Sequence, residues 1–120
     1  MNGASPLQLI IMLYDGAMKS MEAGKHAIVN HDLEKQNKHL LHAQKIVMEL
    51  MSCLDMKEGG DIAANLLSLY TYVLNQLVDA NVQDDEKAVD RAIQVLSELR
   101  ESWAKVEEGM KSPIDEKLAS

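Results

Sequence analysis

Phenylalanine is absent from this 120-residue chain, and the other aromatics amount to three tyrosines and one tryptophan. A core must therefore draw mainly on aliphatic side chains and methionine. Cys53 is the single cysteine, which excludes a disulfide framework within the chain and points to a reducing compartment. No uninterrupted apolar run approaches the ~20 residues that a membrane helix needs. The opening Met1-Asn2-Gly3-Ala4 lacks a basic stretch followed by an apolar one, so neither a signal peptide nor a membrane anchor is expected, and a cytoplasmic location follows. Positive charge is also in short supply, 12 Lys and Arg against 19 Asp and Glu, for a net charge of -7. Charge is nearly balanced over residues 1 to 55, and most of the acidic excess lies beyond them. This argues against nucleic acid or an anionic membrane as the main partner.

Hydrophobic residues make up 47% of the chain, enough for one domain with a core that needs no metal or disulfide support. Eight of them are methionines, whose flexible thioethers can repack around different partners or fill gaps in an ordinary core.

Four helical segments are legible, and no strand signal competes. Ser5-Pro6-Leu7-Gln8 combines an N-cap serine, proline at the first helical position and Gln three residues after the cap. The first helix is expected over residues 6 to 29. Asn30-His31-Asp32 makes a tight connection with Asp32 as the next cap, and Leu33, Leu40, Ala43, Val47, Leu50, Met51 and Leu54 recur along a second helix, residues 32 to 55. Lys57-Glu58-Gly59-Gly60 breaks the pattern, and Asp61 caps a third helix to about residue 80, with Ile62, Leu66, Leu69, Tyr70, Val73, Leu74 and Leu77 on its apolar face. Asp84-Asp85-Glu86 places negative charge at the amino end of a fourth, residues 85 to 108, where the helix dipole favours it. Its inner face carries Ala88, Ala92, Val95, Leu99, Trp103 and Val106; Gly109 ends it, with Ser112-Pro113 beyond. Helices of roughly 30 to 37 Å with short turns predict an all-α, up-down-up-down antiparallel four-helix bundle forming one domain, residues 1 to 120, with a short mobile tail.

Two features exceed what a bundle needs. Gly16, Ser20 and Gly24 lie one turn apart on the first helix with Ala23 and Ala27 beside them, a seam that lets another helix approach closely, most simply a sister helix. Apolar residues also outnumber the single stripe that burial requires. The surplus falls on Ile11, Met12 and Met18 of the first helix and on Ile46 and Met48 flanking the second. Leu69, Tyr70, Tyr72 and Val73 of the third and Ile93 of the fourth complete it. These ten residues are the candidate partner-binding surface, since large apolar groups left outside a small bundle mark self-association or an apolar partner segment.

The string Ala4-Ser5-Pro6, Leu9, Met12-Leu13-Tyr14-Asp15-Gly16-Ala17, Leu54-Asp55, Ile62-Ala63, Asn65-Leu66, Leu69-Tyr70-Thr71-Tyr72-Val73, Leu77, Ala80-Asn81, Leu99-Arg100 and Trp103 resembles the bacterial flagellin export chaperone family, FliS. The resemblance runs over residues 4 to 106. It implies a cytoplasmic, non-enzymatic helical bundle without cofactor. Such a bundle binds the disordered carboxy-terminal segment of flagellin, blocks premature polymerisation and delivers the subunit to the flagellar type III export apparatus, meeting export-gate components and other flagellar regulators. Tail binding of that kind is helix-in-groove recognition coupled to folding. Most members carry a dozen or more residues before the Ser-Pro start, expected to lie over the binding surface when cargo is absent; here four precede it.

Other chemistry is weaker. His39 and His42 are three apart and His26 lies one turn from Glu22, but the two inward Glu-x-x-His sets of a di-iron bundle are missing. His42-Ala43-Gln44-Lys45 is similar to a histidine phosphotransfer site except that Ile46 stands where glycine is expected. A phosphotransfer domain and a self-associating, homodimeric helical adaptor are thus the alternatives. Cys53 reads as a passive thiol, and Trp103 as a core residue.

Overall fold

The computed structural model describes residues 5–109. They form four α-helices: α1 Pro6–Val29, α2 Leu33–Ser52, α3 Met56–Gln83 and α4 Glu86–Glu107. Short side chains start all four. Ser5 accepts from the Gln8 N–H at 3.1 Å while the Gln8 side chain accepts from the Ser5 N–H at 2.9 Å, completing the reciprocal box. Asp32, Asp55 and Asp85 cap the others through backbone N–H groups two or three residues on. His31 adopts a left-handed conformation after α1, and the His31 and Asp32 N–H groups bond back to the Ile28 and Ala27 carbonyls. Gly109, with φ 80°, follows α4 as expected. The expectations for the tail, Ser112-Pro113 included, lie outside the described residues.

The third helix departs from expectation at its start. Asp55, not Asp61, is the cap, and the helix opens at Met56. Only Gly60 breaks the path, with φ 51° and ψ -130°, a conformation that glycine alone adopts readily. Gly60 therefore bends the helix instead of ending a loop before it, and residues 56 to 59 form its first turn.

α1 packs on α2 and α4, and α3 packs on the same two, so the helices form an antiparallel square with α1 and α3 across the diagonal. Tyr14, Met21, Leu40, Val47, Tyr70, Val73, Leu77, Val89 and Leu96 are wholly or almost wholly removed from solvent at its centre. Gln36, a polar residue in this core, is held by its amide donating to the Asn81 backbone carbonyl and Oδ1 at 3.3 Å and to Asp84 Oδ1 at 2.8 Å. Leu33, expected on the apolar face, is 66% exposed because it stands in the first turn, beyond the reach of the opposing helices.

The small-residue seam meets a sister helix. A methyl group at Gly24 would stand 2.5 Å from Leu40 Cδ2 and 2.8 Å from Leu40 Cγ, so the absence of a side chain sets the approach of α1 to α2 there. At Gly16 the same group would meet Ile46 Cδ1 at an ordinary 3.5 Å. Neighbouring Asp15 reaches the other way, accepting from Arg100 Nε at 2.8 Å and Nη2 at 3.2 Å across to α4.

A candidate polypeptide-binding surface

The ten candidate residues divide by what the helices do with them. Ile11, Tyr70 and Val73 leave the candidate surface: they are 7%, 2% and 0% exposed. Each helix is rotated so that its wide apolar arc centres on the core, and these three fall inside it. Met18, Ile46 and Ile93 are partly buried and pack against that core. Met18 lies between Asp15 and Lys25 on α1, and Ile93 between Asp90 and Arg100 on α4; the Asp15–Arg100 and Lys25–Asp90 ion pairs bracket them at the α1–α4 seam. Ile46 faces Gly16. Met12, Met48, Leu69 and Tyr72 are exposed.

Exposed apolar residues beyond the ten continue these positions along the helix. Leu9 precedes Met12 by one turn, Leu41 precedes Met48 by two, and Val78 and Val82 form a further pair on α3. Their spacing of three, four or seven was visible in the sequence. What the sequence lacked was the rotational setting of each helix, which decides the edge of the buried arc.

Two grooves accompany the exposed side chains. One, of about 440 Å³, lies at the end of the bundle where the α2–α3 connection passes α1 and α4; Ile10, Leu54, Ile62, Leu66 and Trp103 form its apolar wall, with Asp55 and Glu58 at its rim. Trp103 is thus partly buried in a groove wall and not enclosed in the core, because it sits near the carboxyl end of α4. Its indole N–H donates to the Tyr14 hydroxyl at 3.2 Å, and the Tyr14 and Tyr70 hydroxyls meet at 2.5 Å across the bundle's diagonal. The two tyrosine rings meet edge to face, 6.2 Å between centroids. Burial pushes both phenols above their ordinary pKa. Tyr70 and Trp103 therefore line this groove, and Tyr14, fully buried, stands behind them and bonds to both. The other groove, about 860 Å³, runs between α1 and α2 past Gly16, Ala23, Leu41 and Met48.

Chemical machinery is sparse beside this surface. His42 Nδ1 lies 2.7 Å from Ser20 Oγ, and among the described residues no group of three or more His, Cys, Asp or Glu side chains could hold a metal ion. Cys53 is exposed at the end of α2. No helix among the described residues is long and apolar enough to cross a membrane.

The described residues thus make a closed all-α bundle of four helices with exposed apolar ridges and two open grooves. The chain belongs to the family described as flagellar protein FliS, whose model matches residues 1–110. It is 34% identical over 106 residues to the flagellar secretion chaperone FliS of Vibrio cholerae, covering 88% of this chain and 78% of that protein. Against the chaperone of the same name from Salmonella typhimurium it is 35% identical over 104 residues, 86% of this chain and 77% of that one. The Bacillus subtilis protein is 31% identical over 102 residues, 85% and 75% of the two chains. All three relatives bear the name flagellar secretion chaperone.

Proposed function

We propose that this chain is a cytosolic, non-enzymatic flagellar secretion chaperone that holds the disordered carboxy-terminal segment of flagellin, keeps it from polymerising and hands it to the export apparatus. Membership of the family supports the reading, as do the names of its relatives. The observation that carries it is physical. The bundle completes its own core and still leaves Leu9 and Met12, Leu41 and Met48, and Leu69 and Tyr72 in solvent on three separate helices. Ridges on several helices suit a segment that wraps the bundle, gaining apolar burial at each ridge while ordering on it. The chaperone needs no chemistry for this; it needs surface that a disordered chain can cover.

Isothermal titration with a peptide of the flagellin carboxy-terminal segment tests the assignment. Leu69→Glu with Tyr72→Glu is expected to weaken binding at least tenfold, because two charges would be buried against apolar cargo. Unchanged affinity would remove the α3 ridge from the site, and failure of the peptide to bind the unaltered chain would remove the function.

A further inference from the structure

The α1–α2 groove differs from the rest of the surface in charge. Lys19, Lys38, Lys45, His39 and His42 stand along it, and no acidic side chain lines it, in a chain whose net charge is -7. Among the described residues none of these three lysines is in an ion pair, whereas Lys25, Lys35, Arg91 and Arg100 all are. Between the cations the groove is apolar and low: Gly16 and Ala23 on one wall, Leu41 and Met48 on the other. The contact between Ser20 Oγ and His42 Nδ1 ties the two helices within it. From Lys38 to Met48 it extends about 15 Å along α2 at the standard helical rise, room for roughly three turns of a docked helix.

We infer that this groove is a docking site for an acidic amphipathic helix of a protein partner, one with a narrow apolar stripe flanked by Asp and Glu. The stripe covers Leu41 and Met48 and fits over Gly16 and Ala23, where small side chains let a backbone come close. The carboxylates meet Lys19, Lys38 and Lys45. A neutral apolar segment would leave the three ammonium groups in water without partners, and a basic one would be repelled, so acidic flanks are favoured by sign as well as by shape. The inference goes beyond the flagellin reading and does not rest on it; Leu41 and Met48 are common to both, so a segment that covers the α2 ridge competes with the acidic helix there.

The probe is an 18-residue synthetic helix carrying a Leu/Ala stripe flanked by Glu, labelled for fluorescence anisotropy. It is compared with a scrambled peptide of the same composition and with a Lys-for-Glu version. The acidic amphipathic peptide is expected to bind at least tenfold more tightly than either, to weaken on going from low to high salt, and to lose at least tenfold on Lys38→Glu with Lys45→Glu. Both lysines are exposed, and an unchanged thermal melt verifies that this variant is folded. Amide NMR shifts on binding should cluster on residues 16–23 and 38–48. Equal binding of the scrambled peptide, undiminished binding by the double variant, or shifts confined to other helices overturns the inference. A dimer seen by sedimentation and dissociated by the same variant would also overturn it, in favour of a second copy as occupant. The flagellin titration turns on Leu69 and Tyr72 and this one on Lys38 and Lys45, so either can fail alone.

Discussion

Tyr14 ties three of the four helices together. Its ring lies in the core, and its hydroxyl joins α1 to α3 through Tyr70 and to α4 through Trp103. A chain without phenylalanine spends three of its four aromatic residues on this one junction. Removing the Tyr14 hydroxyl takes a partner from both Tyr70 and Trp103, and a buried polar group left unpaired costs about 1–3 kcal/mol. The junction also has a pH signature. Burial, the largest cause, raises both phenols above their ordinary value of 10.0, so each stays protonated in the fold where it would ionise in the unfolded chain. Their contribution to stability is full below pH ~10 and is lost as the pH climbs from there toward the folded-state values. The slope is about 1.4 kcal/mol per pH unit for each tyrosine. Urea midpoints measured from pH 8 to 12 should fall more gently for Tyr70→Phe than for the unaltered chain. Parallel curves would mean that this phenol ionises as freely folded as unfolded.

Helix termini were the most legible elements, because a cap is a local transaction between one side chain and N–H groups two or three residues away. Ser5 with Gln8, Asp32 and Asp85 all do what their positions imply. Asp55 and Asp61 illustrate the limit. Both precede a run that can coil, and Gly59-Gly60 between them is a strong breaker by composition, yet the chain bends at Gly60 and does not stop. The two glycines of the α1–α2 seam make a sharper case, since sequence alone gives them one role. Gly24→Ala should lower stability by about 1–3 kcal/mol, because its methyl group must displace a fully buried Leu40. Gly16→Ala meets Ile46 at van der Waals distance and should instead raise stability by up to about 1 kcal/mol through helix propensity. Thermal melts of the two variants should move in opposite directions; equal losses would mean that the helices are as close at Gly16 as at Gly24.

At the level of the whole molecule, the architecture follows from periodicity and short connections, whereas which apolar residues stay exposed is only half legible. A helical wheel sets Tyr72 apart from the apolar face of α3 but cannot say which neighbour covers the residues on that face, so exposed Leu69 reads the same as buried Tyr70 and Val73. Gln36 escaped for the opposite reason, since a polar side chain gives no hint of burial until Asn81 and Asp84 arrive from a distant part of the chain.

The folded bundle therefore has two separate apolar accounts, one closed and one open, and they predict a particular thermodynamics of binding. Cargo that covers the open ridges removes apolar surface from water without rebuilding the core, and such burial lowers the heat capacity of the complex. Titration of the flagellin segment at several temperatures should give a clearly negative heat-capacity change, diminished in the Leu69→Glu, Tyr72→Glu variant. The same binding must raise the melting point by mass action, with about 2.7 kcal/mol gained when free peptide is a hundredfold above Kd. A heat-capacity change near zero, together with binding that survives the double variant, would place the cargo on polar surface and leave the exposed ridges of α1, α2 and α3 without a role in holding it.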